Sequence, residues 1–124
     1  MHHSRLACVV IDSRTDDLDG EAEFWSAVLG WPASTPGGSD RYRDIDGPDD
    51  QPKVLVQKVE HESRVHLDIE TDDIEAEVKR LEALGAKRIG LVKSWCVMEA
   101  PSGQRFCVVK PQRKDFPAGA NQWP

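Results

Sequence analysis

The sequence predicts an α+β fold built from two βαβββ modules, and three observations predict it. A short pattern occurs twice, V-V-I-D-S-R-T-D-D-L at Val9–Leu18 and V-H-L-D-I-E-T-D-D-I at Val65–Ile74, offset by 56 residues. Each copy leads into a helix-like stretch that ends in Leu-Gly, at Leu29-Gly30 and at Leu84-Gly85. Each helix is followed by three segments of strand character. A supersecondary unit repeated at a fixed offset points to two similar modules related by a pseudo-twofold axis.

The elements follow in order. Leu6–Ile11 is a short apolar run and reads as the first strand. Asp16 or Asp17 then caps a helix, because a carboxylate there accepts from the orphan amides of the first turn. Leu18, Ala22, Trp25 and Leu29 line one helical face, widened by Phe24 and Val28. Gly30 ends the helix, with Pro32 close behind, and Trp31 opens a short strand. Pro36, Gly37 and Gly38 form a turn within the loop 34–40. Arg41–Asp46 and Lys53–Val59 read as strands on either side of the turn Gly47-Pro48-Asp49-Asp50.

The second module begins with a strict alternation. Val65, Leu67 and Ile69 are expected on the face covered by a helix. Arg64, His66, Asp68 and Glu70 fall on the other face. Thr71 or Asp72 caps the next helix, with Glu75 as capping-box partner of Asp72. Ile74, Val78, Leu81 and Leu84 form its buried stripe, and Glu75 and Lys79 stand in the favourable i,i+4 order on its exposed side. Ala86–Val92, Ser94–Ala100 and Gln104–Lys110 read as three strands. Residues 111–124 form an irregular tail, anchored by Phe116 and Trp123. Met1-His2-His3-Ser4 reads as a frayed end. The domain plan is thus one domain over residues 1–124, with module one at about 5–60, module two at about 63–110 and the tail at 111–124.

Bulk properties narrow the function. A chain of 124 residues with 39% hydrophobic and 31% charged residues suits one soluble domain. A formal net charge of −6 disfavours nucleic acid as a partner, since phosphate binding needs clustered Lys and Arg. No apolar run reaches the length of about 20 residues that spans a membrane, so no membrane partner is expected. No basic segment followed by an apolar one marks a secretory signal. Cys8, Cys96 and Cys107 are three in number and form no close pair, so internal disulfides cannot consume them all. Free thiols in a reducing cytoplasm are expected.

Beyond these patterns, E-F-W-S-A-V-L-G-W at Glu23–Trp31, V-H-L-D-I-E-T-D-D-I-E-A-E-V at Val65–Val78, L-E-A-L-G-A at Leu81–Ala86 and A-P-S-G-Q-R-F-C-V-V at Ala100–Val109 stand in the same order as in a known group. The chain resembles the vicinal oxygen chelate superfamily, in particular its glyoxalase-like domains of the glyoxalase and bleomycin-resistance group. The resemblance implies paired βαβββ modules in one mixed sheet curled around a central cleft, and a homodimer. Many members bind a divalent metal in the cleft for isomerase, lyase or dioxygenase chemistry, whereas others hold a ligand without metal.

In metal-binding members the first strand of each module supplies a ligand and its last strand can supply another. Those positions fall here at Val10 and Gln57 in module one, and at His66 and Cys107 in module two. Valine cannot ligate, and a thiol replaces the usual glutamate. The family's turn Asp is Ala100 and its Asn is Gln104. Only His66 survives from the usual set, so no metal centre of the family type is expected; the candidates for a remodelled one are His66, Gln57 and Cys107. The expected function is therefore small-molecule binding without that centre. His66, Gln57, Asp68 and Arg105 are the polar ligand-binding candidates, and Val10 and Trp95 the enclosing ones. Two alternatives stay open. One is a metal-dependent lyase, isomerase or dioxygenase with His66 or Asp68 as catalytic base. The other is a structural protein whose cleft is filled by side chains or by the tail.

Each of these residues also has a plainer reading. His66 can serve as a polar strand residue, Cys107 as an inert buried thiol, and Arg64 and Arg105 as solvated charges or partners of Asp12 and Asp68.

Overall fold

The two halves of the repeat fold as the same unit because the same positions carry apolar side chains. A computed structural model describes residues 1–124. The elements in order are β1 (His2–Ser13), α1 (Leu18–Leu29), β2 (Ala33–Ser34), a 3-10 turn at Pro36–Gly38, β3 (Tyr42–Ile45), β4 (Lys53–Lys58), β5 (Arg64–Thr71), α2 (Ile74–Ala83), β6 (Lys87–Val92), β7 (Trp95–Glu99), β8 (Arg105–Val109) and β9 (Asn121–Trp123). The chain divides into two compact units, one of Cys8–Val65 and one of Met1–Ala7 with His66–Pro124.

In the first unit β4 runs parallel to β1 and antiparallel to β3, and β3 pairs with β2. Leu18 and Ala22 of α1 bury against Ile45 and Val56, with Ile11, Trp25, Trp31 and Val54 packed around them. Phe24, Val28 and Leu29 do not join this core; all three are exposed. A stripe of about one residue per turn is enough to cover so short a sheet.

In the second unit β8 runs parallel to β5 and antiparallel to β7, which pairs with β6. Val78 of α2 packs with Cys96, Met98 and Val108, flanked by Ile74, Leu81, Ala86 and Phe106. The alternation of β5 was expected to bury Val65 and Leu67, yet they are 58% and 42% exposed. The reason is the placement of α2, which lies over β6, β7 and β8. Leu84, at the end of the expected helical stripe, is also exposed.

The helix starts are equivalent. Asp17 accepts from the Gly20 amide and Asp73 from the Ala76 amide. The second cap therefore falls at Asp73 rather than at Thr71 or Asp72. Asp72 is taken instead by His3, whose backbone N–H and ring nitrogen both reach its carboxylate. Glu75 is paired with Arg88 at 2.6 Å and serves no capping box.

Residues 2–4 are not frayed: they belong to β1 and pair with β9, so the sheet has nine strands. His2 is buried with its ring nitrogen 2.8 Å from Glu77, and the Trp123 indole N–H donates to Ser4. The sheet is also not curled around a central cleft. Its strand order is an open path, β2-β3-β4-β1-β5-β8-β7-β6, with β9 added to β1. Its end strands are β2 and β6. β2 has only two residues and runs toward Pro36, which lacks an N–H. The register of β6 is broken between Arg88 and Gly90.

Candidate functional site

The site is built on one face of the second unit's sheet. His66 and Asp68 are two residues apart on β5, so their side chains leave the same face. Asp68 is the direct register partner of Cys107 on β8, and Cys107 is the register partner of Val97 on β7. Arg105 and Trp95 stand two residues from these positions on the same face. The opposite face supplies the core residues Cys96, Met98 and Val108.

Within this face one ligating atom each of His66, Asp68 and Cys107 lies within 4.8 Å of the others, and all three residues are half-buried. His66 Nε2 is 3.3 Å from Asp68 Oδ1, with side-chain exposures of 14% and 18%. The group is thus shielded but reachable. Arg105 does not pair with Asp68. Its Nε donates to Glu99 at 3.1 Å, across the β7–β8 ladder. Trp95 is half-buried at the start of β7.

At the end of β5 a different cluster closes the face. Glu70 is fully buried and accepts from Arg5 Nε at 2.6 Å and from the amides of Gln112 and Arg113. Arg5 also pairs with Asp115 and donates to the Ala118 carbonyl. These bonds fasten the tail, and the side chain of Phe116 lies against Arg5 and His3.

The remaining sequence candidates lie in the other unit. Val10 on β1 is 1% exposed. Gln57 on β4 is half-buried, and its amide donates to Tyr42 Oη at 3.3 Å. The register confirms that Gln57 corresponds to Cys107, since Asp12 pairs with Gln57 as Asp68 pairs with Cys107. Asp12 is buried with Arg64 at 3.7 Å. Of the thiols, Cys8 and Cys96 are buried and Cys107 is half-buried. Burial pushes the Cys96 thiol up.

Sequence reasoning placed Gln57 rather than Asp68 among the metal candidates. The i,i+2 spacing of His66 and Asp68, read together with the parallel pairing of a module's first and last strands, is the signal that brings Asp68 beside Cys107.

A model of the family described as glyoxalase-like domain matches residues 8–109. The chain belongs to the glyoxalase-like domain family. Among curated proteins no sequence matches. Several solved structures share the fold. A Legionella pneumophila protein described as an NAD-dependent benzaldehyde dehydrogenase is 8% identical with a TM-score of 0.62, over 85% of this chain and 98% of that one. The Mn(II)-bound glyoxalase of Novosphingobium aromaticivorans is 17% identical with a TM-score of 0.60, over 94% of this chain and 44% of that one. A Streptomyces coelicolor methylmalonyl-CoA epimerase is 13% identical with a TM-score of 0.51, over 89% of this chain and 97% of that one. At these identities the likeness is one of fold.

The family-type metal site does not fit this glyoxalase-like chain. Val10 offers only hydrocarbon at its position. Gln57 carries an amide, whose oxygen is a poor zinc ligand. What the chain offers instead is a nitrogen, an oxygen and a sulfur donor on one sheet face. No helix is long and apolar enough to cross a membrane.

Proposed function

We propose that this glyoxalase-like protein binds a small polar molecule on the sheet face of module two, with His66 at the centre and without the family's two-module metal centre. The observation that carries the proposal is the half-buried meeting of His66, Asp68 and Cys107 on a face that also bears Arg105 and Trp95. Ligand sites combine apolar enclosure with a few convergent polar groups. Here Trp95 and Val97 are the apolar component, His66 and Asp68 supply a donor and an acceptor, and Arg105 can bind an anionic group. A thermal-shift series over small carboxylates and carbonyl compounds tests it. The expected result is a stabilising ligand whose effect is abolished in His66→Ala. A series without any stabilising compound, or with shifts that persist in His66→Ala, contradicts it.

The contact of His66 with Asp68 also favours a second reading, a lyase or isomerase. His66 would take a proton next to a carbonyl and Asp68 would hold the imidazole. Arg105 would stabilise the developing oxyanion. Turnover of a carbonyl substrate that is lost in His66→Ala distinguishes this from binding alone.

The reducing compartment expected for this protein, the cytoplasm, is supported by three cysteines that are all free thiols. A homodimer is supported by exposed Ile89, Leu91 and Val92 on β6, an end strand of the sheet. Light scattering giving the mass of a single chain would count against it.

A further inference from the structure

We propose that His66, Asp68 and Cys107 bind a borderline-soft divalent cation, zinc above all, at a site contained within module two. The proposal deepens the ligand-binding reading, on which it rests for its place in the fold, by giving the same face a cation. It departs from the family pattern, which draws ligands from the first and last strands of both modules. Here the third donor is a second residue of the same strand, Asp68.

The donor chemistry selects the ion. Imidazole nitrogen, carboxylate oxygen and thiolate sulfur together suit zinc better than manganese or magnesium, which favour all-oxygen sets. The geometry agrees. Zinc bonds of about 2.0–2.2 Å to nitrogen and oxygen set the edge of a tetrahedron at about 3.3–3.6 Å. His66 Nε2 and Asp68 Oδ1 stand 3.3 Å apart. A ring nitrogen of His66, a carboxylate oxygen of Asp68 and the Cys107 sulfur all lie within 4.8 Å of one another, and a side-chain adjustment on the order of 1 Å brings the sulfur to the corresponding edge. Three protein donors leave a fourth position for water or a ligand, and the half-burial of the group keeps that position reachable. The nearby Arg105 cation is held by Glu99 and does not compete for Asp68.

Other clusters lack these properties. The pocket of His2 and Glu77 already holds Arg80, whose guanidinium grips both oxygens of Glu77. His3 and Asp72 make only a pair. The equivalent positions of module one are Val10, Asp12 and Gln57, with neither imidazole nor thiol.

The test uses the whole chain, reduced and stripped with a chelator, and the metal alone. Zinc is titrated in competition with a chromophoric chelator, and cobalt(II) is added separately to read its near-ultraviolet thiolate-to-metal band. One zinc per chain and a thiolate band are expected. Cys107→Ser should remove the band. Cys107→Ser, His66→Ala and Asp68→Ala should each weaken zinc binding by about tenfold or more, at least the effect of losing an outer partner. His3→Ala should change nothing. The absence of zinc uptake by the wild type, cobalt uptake without a thiolate band, or binding that survives Cys107→Ser but falls in His3→Ala would overturn the proposal. The wild-type cobalt spectrum needs no variant, so a misfolded mutant does not blunt the test. Because no organic ligand is present, failure here leaves the ligand-dependent melting shift to be judged by itself.

Discussion

The two modules share a scaffold and differ in chemistry. Residues 56 apart pair off along the chain, as Leu18 with Ile74, Ala22 with Val78 and Trp25 with Leu81. All six lie in or against the helix-facing cores, and Val28 and Leu84, the next pair, are both exposed. Asp17 and Asp73 cap both helices in the same way. At other positions the correspondence stops being chemical. Val10 faces His66 in the repeat, Gln57 faces Cys107, exposed Arg14 faces buried Glu70, and half-buried Glu21 faces buried Glu77. Packing fixes the shared positions because any loss of helix–sheet contact destabilises the module. On the opposite sheet face module two carries His66, Asp68 and Cys107 where module one carries Val10, Asp12 and Gln57.

The largest difference in stability between equivalent positions is expected at Glu70. Glu70→Ala leaves Arg5 and two backbone amides without their acceptor in a buried place, at a cost of about 3–5 kcal/mol. Arg14→Ala, at the equivalent exposed position, should change stability by no more than about 0.5 kcal/mol. Urea denaturation of both variants measures the contrast. Equal effects would mean that Glu70 does not organise its unit.

A second contrast separates Glu77 from Glu21. Burial pushes the Glu77 carboxyl up, but hydrogen bonds from Arg80, His2 and Ser4 together outweigh it and hold it below the ordinary value of 4.5. A carboxylate depressed in the folded state adds stability that is present above the unfolded pKa and lost as pH falls through the folded one. Wild-type stability should therefore fall below about pH 4.5, as the unfolded state begins to take up protons first. Glu77→Gln should be less stable near neutral pH and should show a shallower acid decline. Glu21→Gln, at the half-buried equivalent position, should change stability near neutral pH by no more than about 0.5 kcal/mol. Melting temperature against pH reads all three curves.

The smallest effect sharpens the likeness rather than the difference. Asp17→Ala and Asp73→Ala should each cost about 1 kcal/mol, because each cap satisfies one amide of an equivalent first turn. A difference between them of more than about twofold, measured by denaturant midpoint, would show that the two helices do not start alike.

The legible part of the fold was the part written in periodicity and repetition. The repeat gave both helices, the order of the strands within each module and the correspondence of His66 with Val10. The open sheet was not legible, because closure depends on which edges meet, and the residues of β2 and β6 do not announce this. The role of His2 was missed because terminal residues usually fray, and only the pairing with β9 and the burial of Glu77 hold it. Val65 and Leu67 obey the strand alternation but lie beyond the reach of α2, a matter of helix placement rather than pattern. In the site, His66 and Cys107 were visible from the repeat and the family resemblance. Asp68 became a partner of Cys107 only through strand register.

The two modules are one scaffold written twice, and we place the ligand chemistry in the second alone. The most direct test is an amide chemical-shift map of the isotope-labelled protein during titration with the best stabilising small molecule from the thermal-shift series. The predicted result is a cluster of perturbed amides at His66, Asp68, Arg105, Cys107 and Trp95, with their equivalents around Val10 and Gln57 unmoved. Perturbation centred on Val10 and Gln57, with the His66 strand unaffected, would contradict it.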